Sequence, residues 1–208
     1  MNRNLKTAAT LAAMGAAALL SGCAFVPMTV HSHYTPPANV AKVPGADKVV
    51  VDVVVKNEKK HKNEVSVTKD GYGIPMAGVY MHVARDFKAA ISDGLRAKGF
   101  VIGKDDSSTV FIAIKHFYLP EQMHLWSASH TGHGDMLVMV RNASGKVLYN
   151  SGVTVKNIYF DKKQDFSNFN LTSAGRHESA NILLRRMVDQ IVNAPAFIAA
   201  LMKVGGQP

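Results

Sequence analysis

The chain has 208 residues, 24 of them Lys or Arg against 15 Asp or Glu, and a single cysteine. One thiol excludes an intrachain disulfide framework, so a domain of this length must rest on an apolar core. The formal charge of +9 points to an anionic partner, nucleic acid being the default for a cytosolic chain. In chain order, Arg3 and Lys6 make a basic start and residues 11–20 an alanine-rich apolar run. That run falls well short of the roughly 20 residues that span a bilayer, so residues 1–22 read as an export signal removed from the mature protein.

Leu20-Ser21-Gly22-Cys23 follows at once. Small and aliphatic residues ahead of the sole cysteine resemble the lipobox of bacterial lipoproteins. The resemblance implies lipidation of the Cys23 sulfur, cleavage before it, and acylation of the freed amine. One buried chain holds a protein only marginally, at about 0.8 kcal/mol per methylene, whereas several chains on one residue make a permanent anchor. Residue 24 is Ala. In lipoproteins that this one resembles, Asp at that place retains the protein in the inner membrane, so Ala24 implies the outer membrane with the domain facing the periplasm. Loss of Arg3 and Lys6 takes the net charge to +7. Export removes nucleic acid from the partners and leaves the membrane itself, an anionic envelope component, or another protein.

Residues 23–46 carry Pro27, Pro36, Pro37 and Pro44 without sustained periodicity and read as a tether. His31 and His33 lie within it, two ligands where a metal site needs three or four. Val49, Val51, Val53 and Val55 make the inner side of a half-buried strand, with Asp52 and Lys56 on the other. Residues 57–63 form a solvated basic turn, 64–69 a short strand, and 70–75 a break. Val83, Phe87, Ile91 and Leu95 recur every four residues, with Val79 nearby, and predict a helix ended by Gly99. Residues 109–118 are strongly strand-like. Residues 122–141 predict one long strand bent near Gly132 and Gly134, and residues 142–145 a hairpin loop before a strand over 146–160. Thr172 or Ser173 caps a last helix carrying Ile182, Leu183, Met187, Val188, Ile191 and Val192. Pro195 interrupts it before a final short helix.

This order predicts an α+β fold: a mainly antiparallel sheet of four or five strands with two main helices packed on one face. The domain is expected over residues 47–204 with a tail at 205–208. The lipobox at Cys23, the valine strand, Arg85-Asp86-Phe87 in its helix, residues 95–103, the 110–118 strand and the hairpin at Gly145 together resemble the YajG-like family of uncharacterised bacterial lipoproteins. That resemblance implies an envelope location and a compact α+β domain, and it supplies no catalytic residues.

His124, His130, His133 and Asp135 form the nearest approach to a metal constellation. On a straight strand His130 and His133 face opposite sides, and only a bulge at the glycines brings them together. There is no Gly-x-Ser-x-Gly elbow and no HExxH pair. Trp126 reads as half-buried or as a partner anchor. The expected protein is therefore not an enzyme and needs no cofactor: it is a lipid-anchored binding or accessory module. The alternatives are an auxiliary lipoprotein of envelope lipid or lipopolysaccharide transport, and a metal-dependent hydrolase using His130, His133 and Asp135.

Overall fold

The computed structural model describes residues 26–70, 72–104, 108–124, 127–159 and 173–204, and at 121–130 and 157–159 the backbone alone. Cys23, Trp126, the helix cap at 172 and the connection at 161–170 lie outside the described residues. The described strands and helices are β1 (Met28–Val30), β2 (Val50–Asn57), β3 (Glu64–Lys69), β4 (Pro75–Met81), α1 (Val83–Ala97), β5 (Val101–Ile102), β6 (Ser108–Tyr118), β7 (Glu121–His124), β8 (Ser127–Asn142), β9 (Val147–Tyr159), α2 (Ser173–Val192) and α3 (Pro195–Val204).

The alternating valines of β2 do what their period dictates: Val49, Val51 and Val53 are buried, and Val55 packs at the core's edge. β2 sits between β5 and β6 and is parallel to both. The helix between β2 and its neighbours carries the chain back to the starting end of the sheet, which is what parallel pairing requires. β6, β8 and β9 then follow as an antiparallel meander. The fold class is as expected, an α+β fold with two main helices against the sheet. The main sheet is larger than expected and parallel around β2.

α1 buries Val83, Phe87, Ile91 and Leu95 as its four-residue spacing predicts. Phe87 meets Phe117 edge to face at 5.4 Å between ring centres. The helix ends at Gly99 with φ +100°. There the N–H of Phe100 donates to the carbonyl of Leu95 and that of Gly99 to Arg96, a left-handed glycine cap. α2 lays Leu183, Leu184, Met187 and Val188 against the sheet and against α1. Gly134 makes this approach feasible, since a Cβ there would lie 2.2 Å from Met187 Sδ. α3 follows α2 after a bend of 58° and seats Phe197 beside Tyr149. Among the described residues no single helix is long and apolar enough to cross a membrane.

Three expectations change. Residues 122–141 are not one strand. Tyr118 stands opposite His133 and Glu121 opposite His130, so β6 with β7 runs out and β8 returns in one register. Between His124 and Ser127 the sequence offers no Gly, Pro or Asn to mark the reversal. β4 replaces the break that Pro75 suggested: Ala77, Val79 and Met81 are buried at period two, and Val79 belongs to this strand rather than to the helix. Finally, much of the segment read as a tether is packed on the domain. β1 lies parallel to β4, Met28 opposite Val79, in a second sheet of order β1-β4-β3. Beyond it the His33 N–H donates to Asn181 Oδ1, and the Tyr34 hydroxyl to Asp189 Oδ1 at 2.6 Å. The Val43 N–H donates to the Lys98 carbonyl and Ala46 is fully buried. Proline without periodicity reads as a linker, yet Val30, Tyr34 and Ala46 bury enough surface to order it.

Candidate functional site: the open face of the sheet

Helices cover one face of the main sheet, and the side chains alternating to the other face, the small Ala113 apart, are left partly or fully exposed among the described residues. Near the start of β6 this outer face carries Val54, Phe111, Leu137 and Met139. Lys56 Nζ lies 5.5 Å and the Arg141 guanidinium 5.8 Å from the centre of the Phe111 ring. Cations held against an aromatic face keep their charge forward while their stems cover apolar surface. A shallow depression of about 420 Å³ opens here, lined by Val54, Thr109, Phe111, Arg141 and the hairpin residues Asn142, Ala143 and Gly145. The hairpin is held by its own sequence. Gly145 has φ +77° and its N–H donates to the Asn142 carbonyl, and Asn142 Oδ1 accepts from the N–H of Lys146 at 2.9 Å.

The other end of the same face is polar, and a bulge organises it. Ile114 stands opposite Met136 but His116 opposite Asp135, so β6 holds one residue more than β8. Lys115 and His116 consequently both turn outward, where strict alternation would bury one of them. The His116 and His133 rings meet edge to face at 4.7 Å. Asp135 accepts from Thr154 Oγ1 at 3.0 Å. Lys115 pairs with Glu58, whose carboxyl is held below the usual range chiefly by that hydrogen bond. Lys59, expected in a solvated turn, is buried and donates through Nζ to the Glu64 carbonyl at 2.7 Å. Burial lowers its pKa to about 8. Burial likewise lowers that of His116, with His133 and Lys59 adding to the effect and Asp135 opposing it.

The residues nominated from sequence separate as follows. His133 and Asp135 lie on the outer face, next to His116, which the sequence did not nominate because only the bulge brings it there. His124 and His130 are described in backbone alone, at β7 and β8 positions opposite Ser127 and Glu121. His31 and His33 are both exposed, on either side of buried Ser32, and among the described residues they belong to no group of three potential ligands. The His31 N–H donates to His177 Nδ1 at 3.2 Å, and its ring lies 6.3 and 6.4 Å from those of His177 and His82. Among the described residues no three His, Cys, Asp or Glu side chains are placed to hold a metal ion.

No family model and no curated protein matches the chain. Among solved structures it is similar to a Xanthomonas campestris protein of the DUF330 family, at 10% identity and a TM-score of 0.47, over 84% of this chain and 96% of that one. It is also similar to a minor lipoprotein from Acinetobacter baumannii, at 8% identity and a TM-score of 0.43, over 73% of this chain and 93% of that one. At that distance neither structure says what this chain binds.

Proposed function

We propose that the chain is a lipoprotein of the bacterial envelope, anchored to the outer membrane by acyl chains on Cys23, with its domain in the periplasm. It acts without catalysis, as a binding or accessory module whose open sheet face takes an anionic envelope component. The observation behind the binding mode is the pairing of Lys56 and Arg141 around Phe111 beside the depression. An apolar floor with two forward cations suits a ligand that combines a phosphate or carboxylate with apolar surface. The lipobox carries the anchor, and the basic balance of the chain favours the same class of partner.

The lipidated protein is to be titrated with lipopolysaccharide and with peptidoglycan fragments, beside the Lys56→Ala, Arg141→Ala double variant. Loss of two forward charges should weaken binding at least fivefold at low salt, and 0.5 M salt should narrow the gap. Equal affinity for wild type and variant would end this reading of the face. The mass of the native product tests the anchor separately: acylation with cleavage before Cys23 is expected. Auxiliary transport of lipid or lipopolysaccharide is the rival reading, and lipid copurifying in stoichiometric amount would favour it.

A further inference from the structure

Five of the seven exposed large hydrophobic side chains among the described residues gather in one region: Val26, Tyr72, Ile74, Met76 and Tyr80. Four belong to the β3–β4 hairpin, and the fifth precedes β1, which runs beside β4. The hairpin tip is built to present them. Asp70 Oδ1 accepts from the N–H groups of Tyr72 at 2.9 Å and Ile74 at 2.8 Å. Its backbone N–H donates to the Ile74 carbonyl, and Gly73 takes φ +83°. Within this braced turn Tyr72 is 93% exposed, Ile74 56% and Met76 49%. Among the described residues they stand outside the core cluster, and water is a poor neighbour for such a group.

The register of β1 points to what covers the group. With Met28 opposite Val79 in parallel register, Val26 falls level with Ala77, three residues or about 10 Å short of Ile74 along β4. Cys23 is three residues before Val26 and so within about 11 Å of it. The acyl anchor can therefore lie no more than about 22 Å from the hairpin tip. We propose that the tip is a second membrane contact: Tyr72, Ile74 and Met76 enter the interfacial layer of the leaflet that holds the Cys23 acyl chains. Tyrosine and aliphatic side chains suit that layer, and Lys69 at the base of the hairpin lies where headgroup phosphates would meet it. The domain is then clamped on the bilayer rather than hung from it. This contact rests on the reading of Cys23 as lipidated.

The test places a nitroxide label at Tyr72→Cys in the mature lipidated chain, reconstituted in vesicles of phosphatidylethanolamine and phosphatidylglycerol. A second label at Val147→Cys sits beside the β8–β9 hairpin, about 30 Å along β6 from Leu119, whose N–H donates to the Val65 carbonyl of β3. Oxygen should relax the label at 72 more than a water-soluble nickel complex does, with the reverse at 147. Nickel dominance at both positions would overturn the contact. A label at 72 shielded from both reagents would mean a protein partner and overturn it too. In the Cys23→Ser chain, Tyr72→Ser, Ile74→Ser and Met76→Ser together should lower the vesicle-bound fraction about tenfold with an unchanged melting temperature. Unchanged binding would count against the tip. The mass of the mature chain reports on the anchor alone, so failure of the anchor and failure of the tip are told apart.

Discussion

The two faces of the main sheet are made by the same strands and obey different constraints. On the inner face Val110, Ile112, Ile114, Val138 and Val140 are fully buried beneath α1 and α2, and Gly134 is stripped of a side chain so that Met187 fits. On the outer face Phe111 and Met139 alternate with Thr109 and Arg141, and no described helix lies over them. An inner position answers to packing alone, whereas an outer position is free to carry charge, bulges and titratable groups. Within the main sheet, a residue that binds something other than its own chain is therefore to be sought on the outer face.

The most direct way to break this contrast is to truncate one phenylalanine on each side. Phe87 is fully buried and packs on Phe117. Phe87→Ala should destabilise the domain by about 4 kcal/mol, the range for a large aromatic lost from a core. Phe111 is half-buried beneath Lys56 and Arg141, and Phe111→Ala should change stability by less than about 1 kcal/mol. Urea unfolding of both variants measures the difference. Near-equal losses would mean that the outer face is packed after all, against a partner or a second copy.

The inner face could be read from the sequence and the outer face largely could not. Val49, Val51 and Val53 announce β2 by period two, and Phe87, Ile91 and Leu95 announce α1 by period four, because one buried side imposes one repeat. Gly99 and Gly145 mark turns that require positive φ. The polar cluster had no such signal. His116 joins His133 and Asp135 through a bulge at Lys115, an event that depends on the partner strand and leaves no local mark. Lys59 sits in a run that reads as solvated turn, and tertiary packing buries it. β1 was hidden for a related reason. Three residues beside β4 have no period to detect, and their order comes from pairing with Val79, Tyr80 and Met81, 51 positions away, and from the contact of Met28 with Arg176, 148 positions away.

Lys59 sharpens the comparison at the sheet's polar end. Its folded pKa of about 8 lies below the ordinary lysine value, so between about pH 8 and 10.5 the unfolded chain holds the extra proton. Stability therefore rises with pH across that window, by an amount of the order of 2 kcal/mol. Lys59→Met should abolish the rise and raise stability near pH 7, where a charged amine is kept buried. Tyr34 acts in the opposite sense. Burial, reinforced by the hydrogen bond to Asp189, raises its pKa, so its contribution is complete below about pH 10 and is lost above it. Unfolding midpoints from pH 7 to 11 should climb and then fall in the wild type, and only fall in Lys59→Met. A climb that survives in Lys59→Met would assign the effect to another group.

The smallest effect concerns His116, and it asks whether the outer face responds to pH at all. Burial first, then His133 and Lys59, depress its folded pKa, with Asp135 pulling the other way. A depressed histidine gives stability that is whole above the unfolded value of about 6.5 and is lost as pH falls through the folded value. His116→Asn should match the wild type at pH 7.5 and fall less steeply by pH 5. Because the ring is half exposed, the change is a shallower acid limb rather than a shifted plateau. On the inner face Phe87→Ala should lower the whole profile without changing its slope, since no titratable group is lost. A parallel downward shift in His116→Asn would place this ring with the packing residues and move the boundary between the two faces inward.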